Sequence, residues 1–317
     1  MTDIPAASGM TTNEDRAEPI DAIADFMAGF SIEATRPSAE EVAALAAIAP
    51  SGTRVYVSAV PRRPAHEAIE TAARLRTAGF EPVPHLAVRG FASALELNDF
   101  LARVSGEAGV VRLLIIAGDH EEPAGDFRSA LEVIDGGELQ RHGIGEIGIA
   151  GYPDGHPRIP QQGLDRALAD KIRSAEATGM SVHIVSQFCF DVQAIVQWIA
   201  RLRDFGLEHP VRIGFAGPTN LATLLRYAKR CGVRASAQGL ARQAGLLRQL
   251  FAMSAPDALV RALAQARADK HLGEIAPHFF SFGGLLRTAR WAAAVAQRRI
   301  ALEAGEGFRV EPPPTEG

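Results

Sequence analysis

Apolar positions along the chain follow two alternating patterns. Short runs rich in Val, Ile and Phe are typical of buried strands, and they alternate with longer segments whose apolar residues recur every three or four positions, which is typical of helices. Eight strands are predicted, over residues 29–33, 54–59, 81–86, 110–117, 145–151, 181–187, 211–215 and 278–282. Helices are predicted to follow them, starting near Ser38, Pro64, Ala92, Asp126, Leu164, Val192, Thr219 and Gly284.

Eight strand–helix units in succession favour parallel strands joined by helical crossovers. The count predicts a closed (β/α)8 TIM barrel, formed by a single domain over residues 26–303. A further pair of helices, between about residues 235 and 270, is predicted as an insertion after the seventh strand. The segments 1–25 and 304–317 lack periodicity and are expected to be flexible arms. No G-x-G-x-x-G motif opens a helix after the first strand, which argues against a Rossmann fold.

Composition and charge are those of a globular protein. Hydrophobic residues make up 47% of the chain and charged residues 22%, with a formal net charge of −4, so no basic surface for nucleic acid is expected. No apolar run approaches the ~18 residues that span a bilayer, and the N-terminal segment lacks the pattern of a secretory signal. We therefore expect a cytoplasmic protein without nucleic-acid or membrane partners, and reduced thiols at Cys189 and Cys231. The oligomeric state is left open, a homo-oligomer included.

In a parallel barrel the functional residues lie at the carboxyl ends of the strands. Several predicted strands end in polar side chains, and closure of the barrel would bring these side chains to one mouth. They are Glu33, Ser58, His85, Asp119, Tyr152, His156, Gln187 and Ser281. Their types and spacing do not match a metal-ligand cluster, so no metal site is expected.

Two carboxylates in this set are candidates for catalysis. Glu33 ends the first strand, where partial enclosure would raise the pKa of its carboxyl and suit it to act as a general acid near neutral pH. An exposed glutamate in a loop is the alternative interpretation. Asp119 follows an apolar strand, and Gly118 before it would let the backbone approach a flat ligand closely. An aspartate that caps the next turn is the alternative there.

Three further features fit a planar ligand. The amide of Gln187 can both donate to and accept from the edge of a heterocycle. The loop from Tyr152 to His156 combines an aromatic ring, an imidazole and proline, although a Pro-Asp-Gly turn has this composition without any ligand. His85, after the third strand, is either a ligand contact or a hydrogen-bonded packing residue.

Six strand ends carry short motifs that occur in a recognisable order. They read Ser31-Ile32-Glu33-Ala34-Thr35-Arg36-Pro37, Pro84-His85-Leu86, Ile116-Ala117-Gly118-Asp119, Tyr152-Pro153-Asp154-Gly155-His156-Pro157, Gln187-Phe188-Cys189-Phe190-Asp191 and His278-Phe279-Phe280-Ser281. In this order they resemble the motifs of the methylenetetrahydrofolate reductase family. The resemblance extends over residues 28 to 300, which is nearly all of the chain that shows periodicity.

The resemblance implies an activity and a set of roles. It implies that FAD lies across the barrel mouth and passes hydride from NADH or NADPH to 5,10-methylenetetrahydrofolate, giving 5-methyltetrahydrofolate in one-carbon metabolism. Glu33 would be the general acid. Asp119 would tune the electronic properties of the flavin and would also face the pterin. Gln187 and Phe280 would bind the folate together with Asp119. The residues implied to hold FAD are Ser58, His85, Gly118, Asp119, Tyr152, His156 and Lys171.

The chain departs from the family pattern at two strand ends. Ala34 and Thr35 replace a Phe-Phe pair after the catalytic glutamate, and Arg36 replaces the first proline. Ala117 replaces the arginine of a Leu-Arg-Gly-Asp motif, which predicts weaker binding of FAD because a guanidinium offers up to five donors and alanine none. Three alternatives therefore stay open: a folate-binding barrel for other one-carbon transfer, a flavin-independent reductase, and a non-catalytic folate-binding partner protein.

Overall fold

A computed structural model describes residues 13–60, 63–231, 253–267 and 270–312. Eight parallel strands form a closed barrel and are numbered here together with four short strands outside it. The barrel strands are β1 (Ser31–Ala34), β2 (Arg54–Val57), β3 (Glu81–Ala87), β4 (Arg112–Ile116), β5 (Glu146–Gly151), β6 (Ser181–Ser186), β7 (Val211–Ala216) and β10 (Ile275–Phe280). The others are β8 (Thr219–Asn220), β9 (Met253–Ser254), β11 (Ile300–Leu302) and β12 (Phe308–Val310).

Helices cover the outside of the barrel. They are α1 (Asn13–Met27), α2 (Ala39–Ala46), α3 (Ala65–Thr77), α4 (Ala94–Ala108), α5 (Ala130–Asp135), α6 (Glu138–Arg141), α7 (Gln161–Ala177), α8 (Val192–Asp204), α9 (Leu221–Cys231), α10 (Asp257–Ala266) and α11 (Leu285–Ala296). Side chains of the residues before them fix several of the N-termini. Ser38 and Glu41 form a reciprocal capping box at α2, and the Asp191 carboxylate accepts from two backbone amides at the start of α8.

Pairing between the first and last barrel strands closes the sheet. Ser31 lies opposite His278 and Ile32 opposite Phe279 in the register of β1 and β10, and β10 pairs along its whole length with β7. The predicted (β/α)8 barrel is therefore confirmed. Its strands start and end within a few residues of the predicted limits, and the largest shift is in the last strand, which begins at Ile275 rather than at residue 278.

The two predicted arms differ from the structure. Helix α1 lies within the segment that was expected to be flexible, and Ile23, Phe26 and Met27 are buried where α1 packs against α10, α11 and β10. Its apolar residues form one narrow stripe, and acidic residues on its other face mask the helical period. In the C-terminal segment, β12 pairs antiparallel with β11, so residues 308–310 are also ordered into a sheet.

The predicted insertion after the seventh strand falls partly outside the described residues. Residues 232–252 are not described, whereas α10 lies within the predicted range. Antiparallel pairing of Thr219 with Ser254 joins the segment just beyond β7 to the segment just before α10. In the parts of the chain that the structure describes, no helix combines the length and apolar character needed to cross a membrane.

Two apolar layers hold the barrel. The larger fills the space between the outer face of the strands and the helices. The smaller lies inside the barrel and consists of Tyr56, Val83, Leu114 and Val185, with Ile116 against it. Bulky side chains from successive strands therefore fill the interior, as in other parallel barrels, so the strands enclose a packed core rather than a pore.

An ion-pair belt closes the N-terminal end of the barrel. It is formed by the first residues of β2, β3, β4 and β5, namely Arg54, Glu81, Arg112 and Glu146. Arg112 bridges Glu146 at 2.5 Å and Glu81 at 2.8 Å, and Arg54 lies 2.7 Å from Glu146. Arg112 thus links β4 to both of its neighbours, β3 and β5, and Arg54 links β2 to β5, so the belt fixes the relative positions of these strands at the end opposite to the predicted mouth.

Candidate active site

Glu33 is buried at the carboxyl end of β1, with only 8% of its surface exposed. Ser58 donates a hydrogen bond of 2.7 Å to Glu33 Oε2 and in turn accepts one from Thr35 at 3.0 Å. Ser281 donates to the Glu33 main-chain carbonyl at 2.6 Å. Neighbouring strand ends therefore fix both the side chain and the backbone of this residue.

Two imidazoles face the other carboxylate oxygen. His278 Nε2, fully buried, lies 3.5 Å from Glu33 Oε1. His85 Nε2 lies 3.2 Å from the same oxygen but is not aligned for a hydrogen bond. The other ring nitrogen of His278 faces Ser31 Oγ at 2.9 Å, and the Tyr56 ring packs edge-on against His278 with 4.6 Å between centroids. The carboxylate therefore belongs to a buried cluster of polar side chains.

The pKa shift of Glu33 has the opposite direction to the predicted one. Burial by itself would raise the pKa of the Glu33 carboxyl, but the charge interaction with His85 and the hydrogen bond with His278 outweigh it and hold that pKa below its ordinary value. The expectation of a raised pKa was wrong because it considered enclosure alone. Burial also lowers the pKa of His278, against the opposing effect of Glu33.

A cavity of about 250 Å³ lies beside this cluster, between the ends of β2, β3 and β4. Ser58, His85, Gly118 and Asp119 line it, so the structure brings four of the predicted cofactor residues together. Gly118 has a φ of +91°, and a Cβ at that position would lie 2.9 Å from the Cβ of Ala87. Glycine is thus required both by the backbone conformation and by the close approach of β3 and β4.

A second cavity, of about 400 Å³, opens on the other side of β4. Tyr152 and Lys171 line it together with Ala117. Burial raises the pKa of Tyr152, and the Asp119 carboxylate adds to the shift. A charged group in the first cavity thus interacts with a side chain of the second. Burial also lowers the pKa of the half-buried Lys171 ammonium. His156 packs its ring edge-on against Tyr152 at 5.3 Å.

A third cavity, of about 230 Å³, has Glu33 in its wall together with Phe280, Phe282 and Tyr227. Phe280 stacks on Phe282, and Phe282 stacks on Tyr227 with 4.1 Å between centroids. Tyr227 belongs to α9, so this helix contributes a flat aromatic surface to the mouth. The predicted substrate residue Phe280 therefore lies on the same side of the mouth as Glu33, within an aromatic cluster.

Gln187 lies just past the end of β6 with its side chain half-buried. Its Oε1 accepts a hydrogen bond of 3.1 Å from the backbone amide of Phe188. The acceptor half of the amide is thus already engaged by the chain, which leaves the amide nitrogen as the group for a ligand. Gln187 does not line any of the three cavities described above.

Sequence reasoning missed three residues of the mouth and the barrel interior. His278 appeared only within a motif, although a histidine inside an apolar strand is a signal of an inward polar residue. Tyr56 lies in the barrel interior, where its hydroxyl meets His183 Nε2 at 2.7 Å. Arg89 follows β3 and lines the second cavity, and nothing in the local pattern distinguishes it from a surface arginine.

Comparisons with known proteins give a family match and two partial relatives. The family model described as methylenetetrahydrofolate reductase matches residues 35–245, which begins two residues after Glu33. A stretch of 83 residues is 31% identical to methylenetetrahydrofolate reductase 2 of Saccharomyces cerevisiae and covers 26% of this chain and 14% of that protein. A stretch of 148 residues is 26% identical to methylenetetrahydrofolate reductase 1 of Schizosaccharomyces pombe and covers 44% of this chain and 23% of that protein. The matched segments therefore span less than a quarter of each yeast protein.

The fold also has a counterpart among solved structures. A Clostridium thermocellum protein whose description states that it binds two copies of 5-methyl-5,6,7,8-tetrahydrofolic acid superposes with a TM-score of 0.57. Sequence identity is 11%, and the superposition covers 87% of this chain and 96% of that one. This likeness concerns the fold. The family model, in contrast, matches about two thirds of the 317 residues, and on that match the chain belongs to the methylenetetrahydrofolate reductase family.

Proposed function

We propose that the protein reduces 5,10-methylenetetrahydrofolate to 5-methyltetrahydrofolate, with FAD as cofactor and NADH or NADPH as the source of hydride. The observation that carries the proposal is the buried Glu33 carboxylate, held by Ser58 and faced by two imidazoles at the mouth of a barrel that belongs to this family. Binding alone does not require a buried carboxylate faced by two imidazoles, so its presence favours an enzyme over a folate-binding partner protein.

Glu33 would act on the folate as a proton donor. Its lowered pKa means that it is ionised before the substrate arrives. A pterin ring that enters the mouth displaces water, and this desolvation raises the pKa of the carboxyl, so Glu33 takes up a proton. It then gives that proton to a nitrogen of the folate's five-membered ring as the C–N bond to the one-carbon unit breaks. His278 would stabilise the carboxylate that remains.

The residues of the first two cavities fit a flavin nucleotide. Gly118 lines the first cavity without a side chain of its own, which suits the approach of a flat ring system, and Ser58, His85 and Asp119 offer polar contacts around it. Lys171 places a cation in the second cavity beside Tyr152 and the Tyr152–His156 loop, which suits phosphate. FAD, when bound, supplies the hydride relay between nicotinamide and folate.

The substrate would lie on the Phe280 side of the mouth. There the stacked rings of Phe280, Phe282 and Tyr227 offer apolar surface for a pterin. Asp119 would face the pterin from β4, and the amide nitrogen of Gln187 would donate to its edge. This assignment puts the folate against Glu33, whose contacts Ser58 and His85 line the flavin cavity.

An absorbance spectrum of the purified protein, followed by anaerobic addition of NADH, tests the proposal. We expect a flavin band that bleaches on addition of NADH and recovers on addition of methylenetetrahydrofolate. Flavin bound to the native state should raise the melting temperature when FAD is added. A protein that binds neither FAD nor folate would overturn the proposal.

Ala117 favours one second candidate, a reductase that passes hydride directly from nicotinamide to folate. The same experiment separates the two. Folate reduction by NADH without a flavin band, and without any change of melting temperature at high FAD, would establish the direct reaction and remove the flavin roles of Ser58, His85, Gly118, Tyr152, His156 and Lys171.

A further inference from the structure

Arg89 lies beside the position where the family motif carries arginine and this chain carries alanine. It follows β3, and its backbone amide donates to the carbonyl of Ala117 at 3.0 Å. Both residues line the cavity of about 400 Å³ that also contains Tyr152 and Lys171. A guanidinium from the neighbouring strand end is thus available in the cavity from which the motif arginine is missing.

Backbone carbonyls hold the Arg89 side chain. Its Nε donates to the carbonyl of Arg128 at 2.7 Å, and its Nη1 makes a weaker contact of 3.4 Å with the carbonyl of His120. Within the described residues, Arg89 forms no ion pair with a carboxylate. Its orientation is therefore fixed by neutral acceptors, and its positive charge remains available to a ligand.

Lys171 lines the same cavity and is a second cation there. Desolvation is the sole cause of its lowered pKa, and among the described residues no carboxylate pairs with it. Two carboxylates also line the cavity. Asp165 accepts from Gln161 at 2.7 Å, and Asp170 pairs with Arg173 at 3.0 Å. Four basic side chains and two acidic ones line the half-enclosed cavity, and this excess of positive charge indicates a ligand with more than one negative charge.

We propose that Arg89 binds the diphosphate of the dinucleotide cofactor and replaces the motif arginine that Ala117 lacks. The inference rests on the proposed function, since it assigns a residue to the cofactor site. Arg89 and Lys171 contact the diphosphate from two different elements, the end of β3 and helix α7. A fixed guanidinium fork and a flexible ammonium together suit a group with oxygens on two phosphorus atoms.

Equilibrium titration of flavins with the full-length protein tests this inference. The variants are Arg89→Met, which keeps the length of the side chain, and Arg89→Lys, which keeps its charge. Arg166→Met is the matched control, since Arg166 lines the same cavity but is exposed and lies 3.7 Å from Asp170. Each protein is titrated with FAD and with riboflavin, which has the same ring system and no phosphate, and the Kd is measured by quenching of flavin fluorescence.

We expect Arg89→Met to raise the Kd for FAD about tenfold to a hundredfold and to leave the Kd for riboflavin unchanged. Arg89→Lys should fall between Arg89→Met and the parent, and Arg166→Met should match the parent. Adding Ala117→Arg to Arg89→Met should restore much of the FAD affinity, because it returns a guanidinium to the cavity.

Two results would overturn the inference while the proposed function stands. One is an unchanged FAD affinity in Arg89→Met. The other is an equal loss for FAD and riboflavin, which would mean that Arg89 acts only by holding the loop after β4. If the parent protein binds neither flavin, the flavoprotein proposal fails, and the role of Arg89 fails with it.

Discussion

The Glu33 carboxylate meets the His278 imidazole across the seam that closes the barrel, with 3.5 Å between Oε1 and Nε2. The two residues are 245 positions apart in the chain and become neighbours because β1 pairs in parallel with β10. Closure of the barrel therefore also forms the contact between Glu33 and His278. A protein that folds without this seam would lack that contact.

Replacing Glu33 with glutamine should remove most turnover of methylenetetrahydrofolate. The amide keeps the shape and can still accept from Ser58, but it cannot deliver a proton, and general acid catalysis typically supplies about 10²–10⁴-fold. Reduction of the flavin by NADH needs no such proton and should be nearly unchanged. Stopped-flow measurement of the two half-reactions separates these effects, and normal folate turnover would exclude Glu33 from the mechanism.

The same variant has a readout that does not depend on catalysis. Because the folded protein holds the pKa of Glu33 below its ordinary value of 4.5, ionised Glu33 stabilises the fold above that pH, and the contribution is lost as the pH falls. The difference in free energy of unfolding between the parent and Glu33→Gln should therefore shrink as the pH drops below 4.5. A constant difference would mean that the imidazoles do not stabilise the carboxylate.

Gln187→Ala should impair use of folate more than use of nicotinamide. The amide nitrogen is the half of the side chain that the backbone of Phe188 does not engage, and an unpaired polar group on the pterin edge costs about 1–3 kcal/mol. Steady-state kinetics with each substrate varied in turn should show the larger rise in KM for folate. Equal losses for the two substrates would indicate that Gln187 only supports the end of β6.

Tyr56 should make the protein sensitive to alkali. Burial raises the pKa of Tyr56 from 10.0 to about 12, so the folded state favours the neutral phenol. The resulting stabilisation is fully present below pH 10 and is lost as the pH rises toward 12. Between pH 9 and 11 the parent should lose about 1 kcal/mol more unfolding free energy than Tyr56→Phe. Parallel urea-unfolding profiles for the two proteins would contradict this assignment.

Gly118→Ala should destabilise the fold. A methyl group there would require a positive φ and would lie 2.9 Å from the Cβ of Ala87, which costs about 1–3 kcal/mol. Gly106 offers a matched control, because it lies inside α4 with nothing within 4 Å of an added Cβ. Gly106→Ala should stabilise the protein by up to about 1 kcal/mol. Urea midpoints for both variants test the pair, and a neutral Gly118→Ala would show that β3 and β4 can separate.

The strand–helix alternation was enough to predict the barrel because each element shows its own period in the sequence. Helix α1 was missed for a physical reason. Its buried residues Ile23, Phe26 and Met27 form a single stripe, whereas its other face carries Asp21 and Asp25, which pair with Arg298. In so short a segment the acidic residues outweigh the few apolar ones, so the helical spacing of the apolar residues is hard to recognise in the sequence.

The sequence was enough to predict which strand ends carry the residues of the site. It was not enough to predict the contacts between those residues. The rule that function lies at the carboxyl ends of the strands was enough to select Glu33, Ser58 and His85, and the structure brings the three together. The direction of the pKa shift at Glu33 depends on His278, which reaches it only through the register of β1 and β10. Register between distant strands is a property of the closed sheet, and local sequence patterns do not contain it.

The ion-pair belt of Arg54, Glu81, Arg112 and Glu146 holds the strands together at their N-terminal ends, away from the mouth. The substitutions that distinguish this chain from its family pattern, at Ala34 to Arg36 and at Ala117, all fall at the opposite ends of β1 and β4. The sequence of the mouth can therefore vary while the belt keeps the strands aligned. In a barrel built this way, new chemistry can arise from a few changes at the rim without loosening the frame that supports it.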